Sequence, residues 1–122
     1  MTGVITIQGR LVMAYACKST QDWKYPTHIA VGSGTTAASI NDTALENETP
    51  EGKVALTSVT VNEANRTITF TGTITFSGSR SVSEYGLFAK QNATYKLCAR
   101  EVQSASSFSA GESVTFSFTY TW

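Results

Sequence analysis

The chain has 122 residues, with nine Lys+Arg balanced by nine Asp+Glu, 41% hydrophobic residues and only 15% charged ones. That is one domain of ordinary size, able to bury roughly two-thirds of the surface its unfolded form exposes. A net charge of zero, with basic residues scattered singly, leaves no electrostatic footprint for nucleic acid or an anionic membrane surface.

The longest apolar run, Leu11 to Cys17, is too short to span a bilayer, and the first residues lack the charged and apolar regions of a signal peptide. A soluble protein made in a cytoplasm is expected, with residues 1–122 as a single domain.

In chain order, Val4 to Ile7 (VITI) alternates as a short strand would. Gln8 to Lys18 is ambiguous: Leu11, Ala14, Tyr15 and Lys18 fit helical spacing, while Val12, Ala14 and Ala16 fit a strand. A short helix is favoured, although periodicity alone cannot settle so short a run. Ser19 to Tyr25 reads as a loop carrying Trp23 and Tyr25. Pro26 then biases Tyr25 towards extended geometry and launches a strand over His28 to Val31.

Gly32 and Gly34 break that strand. A polar passage rich in Ser, Thr and Ala follows, running into Glu46, Glu48 and Glu51. Beyond it, Val54 to Val61 reads as a strand and Asn62 to Asn65 as a turn. Thr67 to Phe76 alternates almost without fault, with Ile68, Phe70, Ile74 and Phe76 on one face and five threonines on the other. Gly72 in its middle predicts a bulge or a close neighbour. Ser77 to Arg80 is another turn. Strands over Val82 to Ala89 and Tyr95 to Val102 are separated by Lys90 to Ala93. Gln103 to Ala110 is small and polar, and Val114 to Trp122 alternates again.

Several alternating strands joined by Gly/Asn/Ser turns predict a mainly β fold, an antiparallel β-sandwich or jelly-roll-like domain with room for one short N-terminal helix. The alternation predicts sheets with one covered face. The four Asn-x-Thr triplets, at Asn41, Asn47, Asn65 and Asn92, are expected to serve turns.

Chemical motifs fare poorly. Gly32-Ser33-Gly34-Thr35-Thr36-Ala37 matches a dinucleotide fingerprint literally, but that site needs a helix opening on the glycines inside a βαβ unit. No Gly-Lys-Ser/Thr follows, which excludes a P-loop. His28, the single histidine, has no motif announcing a triad around it. Cys17, Cys98 and His28 lack the close ligand pair of a zinc site, and the two cysteines read as buried free thiols. Asp42, Glu46, Glu48 and Glu51 lack the ordered spacing of a calcium loop and read as a solvated acidic stretch. No cofactor is expected and no enzyme. The residues that remain for binding are Trp23 and Tyr25, as interface anchors or as caps on the core, together with Thr35 and Thr36 of the glycine loop.

Five short stretches carry a resemblance. Pro26 to Thr36 (PTHIAVGSGTT) is followed by Asp42 to Glu48 (DTALENE). Then come Ser83 to Phe88 (SEYGLF), Leu97 to Glu101 (LCARE) and the closing strand VTFSFTYTW. In order and spacing this resembles small structural proteins of tailed-bacteriophage virions, including tail-collar fibre-type β domains, over Pro26 to Trp122. Tyr85 and Cys98 stand where such proteins usually carry small or aliphatic residues.

The resemblance implies a virion part: a capsid decoration (cement) protein that binds major capsid proteins, as a homo-oligomer. The alternatives are a tail adaptor or fibre-anchoring module contacting tail proteins, and a host-surface carbohydrate binder using Trp23 and Tyr25. No fibre shaft follows Trp122, which favours decoration. The long glycine loop is expected to be ordered by a neighbouring subunit.

Overall fold

A computed structural model describes residues 4–16 and 25–122, so Cys17, Trp23 and most of the Ser19–Tyr25 loop lie outside the described residues. The elements are β1 (Val4–Ile5), α1 (Ile7–Ala16), β2 (His28–Gly32), β3 (Val54–Ala55), β4 (Ser58–Asn62), β5 (Thr67–Thr75), β6 (Arg80–Gln91), β7 (Thr94–Phe108) and β8 (Ser113–Thr121). Two antiparallel sheets pack face to face, as the alternation predicts. The first has strand order β1-β7-β6-β2-β3 and the second β4-β5-β8.

The principal core lies between the sheets, where Ile29, Val31, Tyr85 and Leu87 of the first meet Phe70, Ile74, Phe116 and Phe118 of the second. Gly72 serves close approach: a Cβ there would fall 2.6 Å from Ile29 Cδ1. Phe76 stacks on Phe108 at 5.0 Å, and Phe108 meets Phe116 edge-on at 6.1 Å.

The helix over residues 7–16 forms as favoured. Thr6 is its N-cap: the Thr6 hydroxyl accepts from Gly9 N at 2.9 Å and itself donates to Leu97 O. One side-chain oxygen thereby satisfies an orphan N–H of the first turn and ties the helix to β7.

Three expectations need correction. The single strand over Val54 to Val61 is two strands in different sheets. Leu56 N bonds to Thr27 O beside the first sheet, and Thr57 N to Thr71 O of the second, so the chain changes sheets between these two residues. The strand expected over Tyr95 to Val102 runs on, because the small, polar stretch Gln103 to Phe108 forms the outer half of β7, with Ser106 to Phe108 paired to Val82 to Arg80 of β6 past a register irregularity. Backbone pairing with a strand already in place outweighs the low β-propensity of its Ser and Ala residues.

The third correction concerns coverage. The first sheet is buried on both faces, so every residue from Val82 to Ala89 is buried. Its second face is covered by Leu45 over Ala30, Phe88 and Leu97, while Val12 of α1 packs on Ala89 and Cys98 at the end of the inner face. Only the second sheet keeps the open face that alternation predicts.

Candidate functional sites

The glycine loop is built around an internal anion. Glu84, with no exposed surface, points from β6 into the loop between β2 and β3. Its Oε2 accepts from Gly34 N at 2.8 Å and Asn47 N at 2.7 Å; its Oε1 accepts from Glu46 N at 2.8 Å and Arg100 Nε at 3.0 Å. A Cβ on Gly32 or Gly34 would lie 2.5 or 2.6 Å from Glu84 Oε2, so the two glycines let the backbone close on the carboxylate. The cradle of N–H groups that would suit a phosphate is filled by the protein's own side chain.

Arg100, equally buried, extends the node. Its Nη1 donates to Thr36 O at 2.9 Å and to Asp42 Oδ2 at 3.2 Å. Ser83 Oγ donates to Gly34 O at 2.8 Å. Within its own domain the loop is held by side chains of β6 and β7.

The acidic residues are likewise engaged and not merely solvated. Glu46 accepts from Thr35 N at 2.9 Å and Thr36 N at 3.2 Å. The Thr36 hydroxyl, first among the causes, and these backbone bonds hold its carboxyl below the usual range. Glu48 pairs with Lys53 at 2.9 Å, and Glu51 with Arg80 at 3.0 Å. Among the described residues, no group of three or more His, Cys, Asp or Glu gathers to hold a metal. The His28 ring meets Thr27 Oγ1 at 2.8 Å and Tyr95 edge-on at 5.3 Å; burial, then the charge of Lys90, lowers its pKa. Cys98 is a buried free thiol, pushed up to about 12 by burial.

Of the proposed binding residues, the three described ones, Tyr25, Thr35 and Thr36, do not converge. Thr35 and Thr36 stand exposed on the crest of the glycine loop, pinned by Glu46. Tyr25, 64% exposed, lies at the rim of a different feature: an apolar cavity of about 450 Å³ between α1, β1 and the inner face of the second sheet. Its described lining, which includes Met13, Val59, Ile68 and Tyr120, carries no charged or amide side chain.

The most regular surface is the outer face of the second sheet. Thr69–Thr119, Thr71–Ser117, Thr73–Thr115 and Thr75–Ser113 face each other across β5 and β8 with hydroxyl oxygens 2.7–3.1 Å apart. Ser58, Thr60 and Asn62 of β4 continue it opposite Thr71, Thr69 and Thr67. It is a hydroxyl-lined surface without a charged side chain. The threonine alternation of β5 announces it in sequence, but its partner rows become evident only once β5 and β8 are paired.

The chain matches no family model, no curated protein and no solved structure. Among the described residues, no helix is long and apolar enough to cross a membrane.

Proposed function

We propose that this protein is a structural component of a tailed-phage particle, a decoration protein on the outside of the head that reinforces contacts between major capsid proteins. One observation carries the reading: four of the five stretches behind the sequence resemblance are parts of a single physical device. Gly32 and Gly34 of the first motif and Glu46 and Asn47 of the second close on Glu84 of the third. Leu45 packs over Gly86, and Arg100 completes the charge pairing. Short motifs that match by chance have no reason to meet at one carboxylate. Their convergence supports a shared architecture as the source of the resemblance.

The mechanism is additive and involves no covalent chemistry. The hydroxyl face of the second sheet docks on the lattice and exchanges water for direct hydrogen bonds at many equivalent positions. Thr115, the third residue of β8, is exposed on this face. Thr115→Glu is expected to leave the melting temperature nearly unchanged, as surface substitutions usually do, yet abolish incorporation into particles. Quantitative mass spectrometry of purified virions supplies the decisive readout. A copy number that scales with the major capsid protein supports decoration. A few copies per particle would transfer the protein to the tail as an adaptor or fibre anchor, and absence from virions would end the proposal. The carbohydrate reading rests on Tyr25 and Trp23; glycan-array binding abolished by Trp23→Ala would revive it.

A further inference from the structure

We infer that the protein pairs with a second copy of itself through the free edge of β4, joining two three-stranded sheets into one of six strands. This goes beyond the decoration reading and does not depend on it. Among the described residues, strand β4 in the order β4-β5-β8 pairs on one side only. All five of its residues, Ser58-Val59-Thr60-Val61-Asn62, are exposed. Edge strands are commonly protected by lysine, proline, a bulge or a covering loop. Within β4 there is neither charge nor proline, and its register with β5 runs from Ser58↔Thr71 to Asn62↔Thr67 without a bulge.

Exposure distinguishes this edge from the other free edge of the same sheet. In β8 the inward side chains Phe116 and Phe118 are already buried, at 6% and 1% exposure. In β4 the inward side chains are not. Val59 and Val61 lie opposite Phe70 and Ile68 on the core face, yet remain 50% and 56% exposed. Whatever covers this edge must bring a strand that is apolar on one face and polar on the other, and β4 itself has that pattern.

Antiparallel self-pairing about Thr60 sets Val59 against the partner copy's Val61 on the inner face. Ser58 then faces Asn62, and Thr60 faces Thr60, on the hydroxyl face. A dyad perpendicular to the sheet keeps the two inner faces on the same side, so the four valines cluster beside the mouths of both apolar cavities, where Val59 is a lining residue. The contact is isologous, as two-fold interfaces require, and a net charge of zero offers no repulsion against it.

Sedimentation equilibrium over a concentration series tests the stoichiometry. The wild type is expected to dimerise. Val61→Lys is expected to weaken the dimer roughly 100-fold, since the dyad applies two steps of about tenfold each, or about 1.4 kcal/mol apiece. Oxidative cross-linking tests the register independently of that variant's folding. Thr60→Cys should form a covalent dimer, beyond the background of the native cysteines in wild type. Ser58→Cys alone should not, because Asn62 faces it, while adding Asn62→Cys should restore the cross-link. A wild type monomeric across the series, or Ser58→Cys cross-linking as readily as Thr60→Cys, would overturn the inference.

Discussion

Glu84 concentrates more of the structure than any other side chain, because each of its two carboxylate oxygens takes two donors. Glu84→Gln keeps the shape but not the chemistry: its NH₂ group would confront two of those donors, and Arg100 would retain only Asp42 as a charged partner. Breaking one side of a buried ion pair costs about 3–5 kcal/mol. Urea denaturation of Glu84→Gln is expected to show a loss at the lower end of that range, since Asp42 compensates in part. Glu84 and Arg100 are visible in the sequence as single charges inside apolar strands. Their role is not, because alternation predicts a solvated second face and nothing in it says that this face is covered. The glycine pair is legible as a turn; the anion it closes around lies 50 residues away.

At the scale of elements, β5 and β8 are readable from strong period-two patterns, and β2 and the inner parts of β6 and β7 from apolar runs bounded by turn residues. The misreadings occur where backbone pairing, and not side-chain pattern, decides the structure, as at the sheet change after Leu56 and in the outer half of β7. Turns are anchored to one another as well. Glu51 binds Arg80 Nε and Nη2 at 3.1 and 3.0 Å and Ser77 Oγ at 2.8 Å, fastening the turn before β3 to the turn before β6.

Burial alone would raise the Glu51 pKa, but these bonds outweigh it and bring the carboxyl from 4.5 to about 2. Because the folded value lies below the unfolded one, the contribution to stability is complete above pH 4.5. It declines as pH falls and is gone below about 2. Glu51→Gln is therefore expected to melt with a shallower pH dependence across that window than the wild type, measured by circular dichroism. The flattening is partial, because the lowered Glu46 carboxyl titrates in the same direction.

As a whole, the molecule is asymmetric. One sheet is covered on both faces, by the second sheet with α1 and by the glycine loop, while the other presents a hydroxyl surface to the outside. If that surface docks on a capsid lattice, occupancy stabilises the bound form in proportion to the logarithm of the free protein concentration. Particles stripped of the protein are expected to release DNA at a lower temperature, followed by dye fluorescence during heating. Adding the protein back should restore the wild-type temperature in a dose-dependent way, and Thr115→Glu should fail to do so.

The internal anion also dictates an order of events during synthesis. Gly34, Glu46 and Asn47 leave the ribosome 50, 38 and 37 residues ahead of the carboxylate that binds them, and Thr36 precedes Arg100 by 64. β1 waits as well, since Val4 pairs with Arg100 itself. Such non-local pairing pays its loop-closure entropy before any contact rewards it, and it folds slowly. The first third of the chain is thus made early and finished late. A nascent chain that stalls short of Arg100 would carry a glycine loop with an incomplete clamp and an N-terminal helix with no β7 to rest on.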